Sequence, residues 1–496
     1  LKINSQGYSS SVYVSDPVNI ISGNFFAQTM DLQLKSRLPL RLTRNYNSLE
    51  SSVGPFGRGW SFSYASRLEF LASDVVFISP DDSQVLFQNL NESFTPPVGV
   101  ALKLSLNPST GLWVISHPYG QEWSFDQSGK LVRMARVNGN NGENNVLAFE
   151  YDENNHLIRV TNSTGQWFEF SYGPNNFIVK VTDSTNRIVT YGYDEKSNLT
   201  SVTDPAGAVT AYGYSDDNLL TNVQKPGNRI TTVSYENGRV STVTNPNGNV
   251  SHFAWDLLNR KFNLTDPAGT NYEYGFGEDW SLTSYSVPAL SLTKQFVSSG
   301  SALIRSINTL GHAHSFGYGS NGLLNSATDP LGNTVLYEHH PSLQRLTKKT
   351  DSIGREWLYN WGDDGNLLSE VDPAGGVASF TYDSFNNRTS KTDSLGRKTT
   401  YVFDSSSNNL IRIIDPLGNA VNLTYDIRGN LLSHIDQLGR TTVFEYDLIN
   451  RLTKTTYPDG RFIALEYNPA GNVAVRRDNL GRETHFVYDL TDQLIA

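Results

Sequence analysis

His312 and His314 lie two positions apart, so on a β-strand their imidazoles share one face, and His339-His340 recur in the next stretch of similar sequence. Paired strand histidines can open a zinc site, but tetrahedral zinc needs further ligands converging from a neighbouring strand. His339 is displaced by several residues along the strand direction, so all four read as surface or ladder histidines. Acidic pairs stand at Asp81-Asp82, Asp216-Asp217 and Asp363-Asp364, none of them inside the Asp-x-Asp-x-Asp-Gly loop that calcium coordination uses. They read as solvated turn residues. Gly57-Arg58-Gly59 is too short for a nucleotide fingerprint, and Trp60 beside it reads as an anchor at the start of a strand. The chain has no Gly-x-Ser-x-Gly elbow, no His-Glu-x-x-His pair, no phosphate loop and no cysteine. The expectation is a protein without catalytic residues, cofactor or metal, and not an enzyme.

The elements that carry these residues follow from a repeat. A turn motif, Asp-Pro-x-Gly or a relative, begins at Asp183, Asp204, Gln224, Asn245 and Asp266, and again at Asn308, Asp329, Asp351, Asp372, Asp393, Asp415, Asp436, Tyr457 and Asp478, at spacings of 20 to 22 residues. The 42 residues between Asp266 and Asn308 are two periods, so one unit there has drifted. Ten residues after most starts stands an aromatic, such as Tyr193, Tyr214, Trp255, Phe276, Trp361, Tyr382 or Tyr446, often followed by Asp. Weaker copies reach back to Tyr151 and Tyr172, so roughly 350 of the 496 residues belong to the array.

Each unit reads as two short strands and two turns. Proline presets φ at the second turn position, and glycine at the fourth tolerates φ > 0. The segment that follows alternates with period two: Arg440, Thr442, Phe444 and Tyr446 on one face, Thr441, Val443 and Glu445 on the other. An aromatic ladder therefore climbs from unit to unit. Ordering about 21 residues costs on the order of 30 kcal/mol, which a lone hairpin cannot recover, so units must stack edge to edge. About sixteen units would make a ribbon on the order of 150 Å wide, and because strands twist it must coil or close. Hydrophobic residues make up only 38%, with 25 Tyr and 24 Phe, which suits a curled sheet wetted on both sides rather than a thick core. No sustained helical period is present.

A net charge of −10 without a basic run weighs against nucleic acid. No apolar stretch is long enough to span a membrane. Absence of thiols excludes a disulfide scaffold and suits export by bacteria. The first residue is Leu1, so a leader has been removed or the chain is a fragment.

Asp16-Pro17-Val18-Asn19, Ser22-Gly23-Asn24-Phe25, the run Leu38-Pro39-Leu40-Arg41-Leu42-Thr43-Arg44-Asn45-Tyr46-Asn47-Ser48 and Gly54-Pro55-Phe56-Gly57-Arg58-Gly59-Trp60-Ser61 resemble the opening of the Rhs (rearrangement hotspot) family. The array resembles that family's YD repeats, and Ser79-Pro80-Asp81-Asp82, Phe94-Thr95-Pro96-Pro97 and Pro118-Tyr119-Gly120-Gln121 resemble its connecting segments. The resemblance implies an all-β fold: a spiral of antiparallel hairpins forming a hollow shell, with very little helix. It implies a leader or linker over 1–14, an N-terminal module over 15–70 that starts or plugs the shell, a connecting segment over 71–140 and the array over 141–496. Family shells enclose a C-terminal toxic domain in polymorphic toxins and in the C components of Tc toxins, and support adhesion in teneurins. Toxin-releasing members carry an aspartyl autoprotease motif, Pro-x4-Asp-Pro-x-Gly followed by Leu or Trp. Asp329-Pro330-Leu331-Gly332 and Asp415-Pro416-Leu417-Gly418 keep only its inner tetrapeptide and sit in register with the repeat, so they read as turns.

The resulting expectation is a secreted or cell-surface structural shell whose partner is a C-terminal toxin or cargo domain, or further copies of itself, with a secretion apparatus or surface glycan as further partners. The chain would be the front part of a longer protein, or one of several copies closing a chamber. A second reading is an adhesion or glycan-binding protein, with Trp113, Trp123, Trp167 and Trp280 off the ladder as sugar-stacking candidates or as junction fillers. A third is self-assembly into a filament or shell through an unpaired edge strand.

Overall fold

The computed structural model describes residues 18–36, 38–91, 93–97, 100–117, 121–136, 145–299, 302–319 and 321–496. The expected leader over 1–14 and the motif residues Asp16, Pro17 and Pro118-Tyr119-Gly120 lie outside them. Thirty-seven antiparallel strands, from Lys103–Leu106 to Glu483–His485, form one sheet in which every strand pairs with its neighbours in sequence. Pairing thus begins at Lys103, before the repeat becomes legible. Three small sheets precede it: a three-stranded one from Phe26–Leu34, Leu40–Asn47 and Trp60–Phe62, a two-stranded one from Val53–Gly54 and Gly57–Arg58, and a four-stranded one from Arg67–Phe70, Val75–Ile78, Gln84–Leu90 and Ser93–Thr95. Among the described residues the one helical turn is the 3-10 segment Pro288–Leu290, which fills the turn of the drifted unit.

Two rows of turns flank the sheet. In the Asp-Pro row, Asp204 Oδ1 accepts the backbone N–H groups of Ala206 and Ala208 at 2.8 and 2.9 Å, and Gly207 closes the turn at φ 85°. In the Tyr-Asp row, Asp426 Oδ1 does the same for Arg428 and Asn430 at 2.9 and 2.8 Å, with Gly429 at φ 80°. A carboxylate or amide at the first position therefore satisfies the inner donors of a five-residue reversal, which is why Asp and Asn recur there.

In nearly every unit the aromatic sits at a break in register, Trp255 being an exception. Gly192 pairs with Ser201 but Tyr193 with Leu199, leaving Thr200 unpaired, and the same shift recurs before Tyr214, Tyr382, Tyr425 and Tyr446. A bulge repeated in nearly every unit adds twist in the same sense each time, and the ribbon winds. The winding is visible in contacts between distant turns. Asn145 Nδ2 donates to Phe385 O, Gln166 Nε2 to Ile427 O, Arg187 Nη1 to Leu448 O and Arg229 Nη2 to Ala470 O, separations of 240, 261, 261 and 241 residues. The Asp-Pro row of the first coil thus rests on the Tyr-Asp row of the second, about twelve units later. At two strands per unit and ~4.8 Å per strand, one coil is about 115 Å around and about 37 Å across. The ends of the sheet do not pair with each other, so the shell is an open spiral.

Burial differs between the coils. In the strand Trp167–Tyr172, Phe168 and Phe170 are buried, whereas in Thr441–Tyr446 the ladder residues Thr442, Phe444 and Tyr446 are only half-buried. The expectation of water on both faces holds for the second coil and fails for the first. There Leu32, Leu34, Leu40, Leu42, Phe56 and Phe62 from the N-terminal residues complete a continuous core with the ladder.

Candidate functional site: an N-terminal strip on the ladder face

Residues 18–36 and 38–68 lie along the ladder face as a strip folded on itself, with its Ile20 end at Trp255 and its Leu68 end at Gly129. Ile20 O accepts from Trp255 Nε1 at 3.1 Å and Gly23 O from Val240 N at 2.9 Å. Further along, Tyr46 Oη accepts from Leu220 N at 2.9 Å and Trp60 Nε1 donates to Tyr214 Oη at 2.9 Å. Pro55 O accepts from Ile178 N at 2.8 Å, the Tyr64 ring meets Phe149 at 5.5 Å, and Leu68 N donates to Gly129 O at 2.9 Å. The strip is pinned at about ten points around half a coil, which rules out sliding by one unit.

Arg44 is the centre of this contact. Its side chain is 0% exposed and that of Asp31 3%. Nε donates to Asp31 Oδ2 at 2.5 Å and Nη2 to Oδ1 at 2.9 Å, a two-pronged pair on adjacent strands. Tyr191 Oη donates to Asp31 Oδ2 at 2.8 Å, and the guanidinium lies 4.8 Å from the Trp60 ring centre, 5.5 Å from Tyr191 and 5.8 Å from Tyr212. Burial works against the Arg44 charge, but the Asp31 carboxylate outweighs it, and the guanidinium is held charged well beyond its ordinary range. Burial likewise pushes the Tyr191 phenol far up, with Asp31 adding to it. The assembly joins two strands of the strip to two ladder tyrosines. It offers no nucleophile or proton shuttle, so its chemistry is positioning.

Sequence reasoning passed over this pair although a signal was present. Leu40, Leu42, Arg44 and Tyr46 alternate on one face, and all four are buried. A charged residue on an otherwise apolar strand face needs a buried partner.

The structure separates the residues singled out for chemistry. His312 belongs to an Asp-Pro turn, where its N–H reaches Asn308 Oδ1 at 3.0 Å, while His314 is exposed on Ala313–Tyr318. His339 ends Thr334–His339 in the ladder aromatic's place opposite Leu346, and His340 Nδ1 lies 3.2 Å from Ser342 Oγ in the following turn. Among the described residues no three His, Asp or Glu side chains are grouped to hold a metal. Asp81 caps a turn from Ser83 N at 3.1 Å; Asp82 beside it has its carboxyl pushed up to about 6 by burial, with Glu50 and Asp81 adding repulsion. Asp216 and Asp217 are exposed in a Tyr-Asp turn, and Asp364 accepts from Asn366 N at 3.0 Å. Asp329 and Asp415 each accept two backbone N–H groups of their own turns, at 2.9 Å and at 2.8 and 2.9 Å.

The tryptophans proposed for sugar stacking are half-buried in ring contacts. Trp113 meets Phe70 and Phe94 at 5.5 and 5.3 Å, Trp123 meets Phe77 at 5.6 Å, Trp167 lies under Arg159 at 4.5 Å, and Trp280 packs on Phe276 at 6.0 Å. The first two fill the junction between the four-stranded sheet and the array. No described helix is long and apolar enough to cross a membrane.

Residues 15–87 match the family model described as Domain of unknown function (DUF6531), and residues 172–209, 193–235, 361–398, 382–420 and 425–461 match the RHS Repeat model. Over 146 residues the chain is 27% identical to the tRNA nuclease WapA of Bacillus subtilis (strain 168) and to the tRNA3(Ser)-specific nuclease WapA of Bacillus spizizenii, a match covering 29% of this chain and 6% of each relative. The crystal structure of TcdB2-TccC3-Cdc42 is similar with TM-score 0.57 at 11% identity, and that of TcdB2-TccC3 without the hypervariable C-terminal region with TM-score 0.57 at 12%; each match covers 95% of this chain and 27% of the other. The chain therefore spans a small part of the proteins it resembles, and the likeness to the solved structures concerns the fold. With the repeat spelled in the sequence, wound in the structure and matched by the family model across both coils, the chain is an Rhs/YD-repeat protein.

Proposed function

We propose that the chain is the wall of a secreted bacterial container, without catalysis of its own, that encloses or displays a C-terminal passenger such as a toxin. One observation carries this reading. The ladder face is covered by the N-terminal strip over about half of the first coil, whereas beyond it aromatics such as Tyr318, Tyr337, Tyr359, Trp361 and Tyr401 are only half-buried, and opposite backbones of a coil stand about 37 Å apart. With ~5 Å of side chain on each wall, roughly 27 Å is left, enough for a small folded domain. One of the similar structures is TcdB2-TccC3 without a hypervariable C-terminal region, and the WapA relatives are nucleases that match this chain over a small fraction of their length. Both suit a shared shell carrying different passengers.

Limited proteolysis of the protein from its native source, with peptide mapping at the C-terminal side, tests this. A resistant array together with peptides that extend past residue 496 and survive only while the array is intact is the expected result. Rapid cutting throughout the repeats overturns the shell reading. A resistant array with no protected passenger overturns the container reading alone.

A further inference from the structure

Each unit sets one residue of its return strand in the middle of the ladder face, and the chemistry of that position changes along the chain. Under the N-terminal strip it is held by Val160, Val181, Val202, Val223, Val243 and Leu264. These pack with the leucines and rings of the strip in one apolar core, so wall and cover match. From Lys349 onward the same position is taken in every second unit by Lys349, Lys391, His434 and Arg476. Glu370, Ile413 and Thr455 stand between them. Two units are four strands, so the row advances about 19 Å per step and about 58 Å from Lys349 to Arg476.

Charge is divided unequally between the two faces of this part of the sheet. On the face opposite the ladder, Lys348 lies between Glu338 and Glu356 at 3.8 and 2.6 Å, Lys454 pairs with Glu445 at 3.1 Å, and Arg477 with Glu466 and Glu483 at 3.2 and 2.7 Å. On the ladder face the strands from Leu292 to His485 carry Lys294, Lys349, Arg388, Lys391 and Arg476. Against these five stands Glu370, since Asp478 at its strand end is held by Arg482 at 2.7 Å. None of the five has an acidic partner among the described residues. Lys349 and Arg388 lie instead over the Trp357 and Phe380 rings, at 4.8 and 4.2 Å, and all but Lys349 are exposed. A chain of net charge −10 thus keeps an unopposed basic surface on the face that the strip leaves open.

We infer that the uncovered ladder face recognises an acidic polypeptide: a passenger rich in exposed Asp and Glu sets its carboxylates on Lys349, Lys391 and Arg476 and its apolar side chains on the aromatics between them. The inference rests on the container reading and adds the chemistry of the passenger. The covered part of the same face supplies the precedent, because there an apolar wall takes an apolar strip. Beyond it the wall is basic, and its complement is acidic. Spacing selects polypeptide over nucleic acid. A duplex carries one negative charge per ~1.7 Å, so cations ~19 Å apart would leave nearly all of its phosphates uncompensated. A polypeptide presents carboxylates singly among neutral residues. Inside a chamber, low-dielectric walls focus the field of unopposed charges on whatever is enclosed.

Fluorescence anisotropy of labelled peptides with the 496-residue chain tests it. Two peptides of ~21 residues, about 70 Å when extended, repeat Glu-Ser-Gly or Gln-Ser-Gly. The acidic peptide is expected to bind and the neutral one not. Its affinity should fall at least about tenfold between ~0.1 and ~1 M salt, as the screening length drops from ~10 to ~3 Å. In Lys349→Glu/Lys391→Glu/Arg476→Glu the dissociation constant should rise at least about tenfold. Arg305→Glu/Lys398→Glu/Arg412→Glu alters three exposed residues of the opposite face and changes the net charge equally, and should leave it within about twofold. The salt series on the unsubstituted chain keeps the test valid where a variant does not fold. Failure of the acidic peptide to bind overturns the inference, as does equal loss in both variants. So does a single-stranded oligonucleotide that binds more tightly and is lost in the ladder-face variant, which would make this a nucleic-acid surface. Peptide mapping of the native protein separates the inference from the reading beneath it: a protected passenger that is basic overturns the inference and leaves the container reading standing, whereas no protected passenger, with the peptide result intact, overturns the container reading alone.

Discussion

Tyr193 Oη donates to the carbonyl oxygen of Ile178, fifteen residues earlier, at 2.7 Å. The relation recurs from Tyr214 to Leu199 at 2.8 Å, Tyr235 to Leu220 at 2.8 Å, Tyr382 to Leu367 at 3.0 Å and Tyr467 to Leu452 at 2.6 Å, and Trp361 keeps it through Nε1 to Leu346 O at 2.7 Å. The donor stands at the register shift of its own unit and the acceptor begins the return strand of the unit before. The phenol therefore ties consecutive hairpins together where the ladder is interrupted. An aromatic with a polar tip meets both needs, packing on the face and bonding at the bulge.

Replacing Tyr193 by Phe keeps the ring and removes the donor, so the expected loss is about 1–2 kcal/mol, from a buried carbonyl deprived of its partner. Tyr193→Ala adds the loss of a buried ring and is expected to reach about 3–5 kcal/mol. Denaturant unfolding of the two variants should show this order. Equal losses would mean that the hydroxyl contributes nothing.

The Arg44–Asp31 pair predicts an asymmetry. Arg44→Ala leaves the buried Asp31 carboxylate without its cation and should destabilise the docked strip by about 3–5 kcal/mol, whereas Arg44→Met with Asp31→Leu together should recover most of that, since no charge remains buried. Fluorescence of Trp60 during denaturant unfolding reports on the strip. Additive single and double effects would contradict the pairing.

How much of this could be read from the chain varies with the physical origin of each feature. The hairpin units were legible because Asp, Gly and the alternating aromatics act within about twenty residues. Coiling was legible from the impossibility of a wide flat sheet, but its period was not. That period comes from the repeated bulge, and Thr200, the residue left over, looks like any other strand residue. The covering of the first coil was hidden for another reason. It joins residues such as Ile20 and Trp255, 235 apart, through a backbone carbonyl that any residue could supply. Arg44 alone announced it, as a charge among Leu40, Leu42 and Tyr46.

His117 gives the junction beside the four-stranded sheet a pH dependence. Its ring lies 4.3 Å from Trp123 and 6.3 Å from Phe77, and burial pulls its pKa from 6.5 down to about 4. The unfolded chain binds a proton here below about 6.5 and the folded chain only near 4, so this contribution is complete above about 6.5 and is lost as pH falls between the two values. The full loss is on the order of 3 kcal/mol. Asp82, pushed up to about 6 by burial and nearby carboxylates, works in the opposite sense and weakens the fold as pH rises from about 4 to 6. The two oppose each other between about pH 4 and 6: His117→Phe should remove the part of the profile that falls toward acid, and Asp82→Asn the part that falls as pH rises. Profiles that move in the same direction would contradict the assignment.

Arg187 and Arg440 occupy the same place in the same turn, each with Nε 2.7 Å from the carboxylate of the aspartate four residues earlier. Their surroundings differ: the Arg187 side chain is 5% exposed, with Nη2 donating to Gln33 O at 2.8 Å and Nη1 to Leu448 O at 3.4 Å, while that of Arg440 is 61% exposed. Arg187 therefore joins three parts of the molecule, the strip and both coils, and its removal strands the wholly buried Asp183 carboxylate. Arg187→Ala is expected to cost about 3–5 kcal/mol and to raise amide exchange on both sides of the seam, around residues 183–187 and 447–451. Arg440→Ala should fall within about 1 kcal/mol, since an exposed pair gains little over its hydration. Measured side by side, the two substitutions compare one turn in two burial states. Similar costs would mean that the coils are held together by the backbone path of the spiral rather than by the seam.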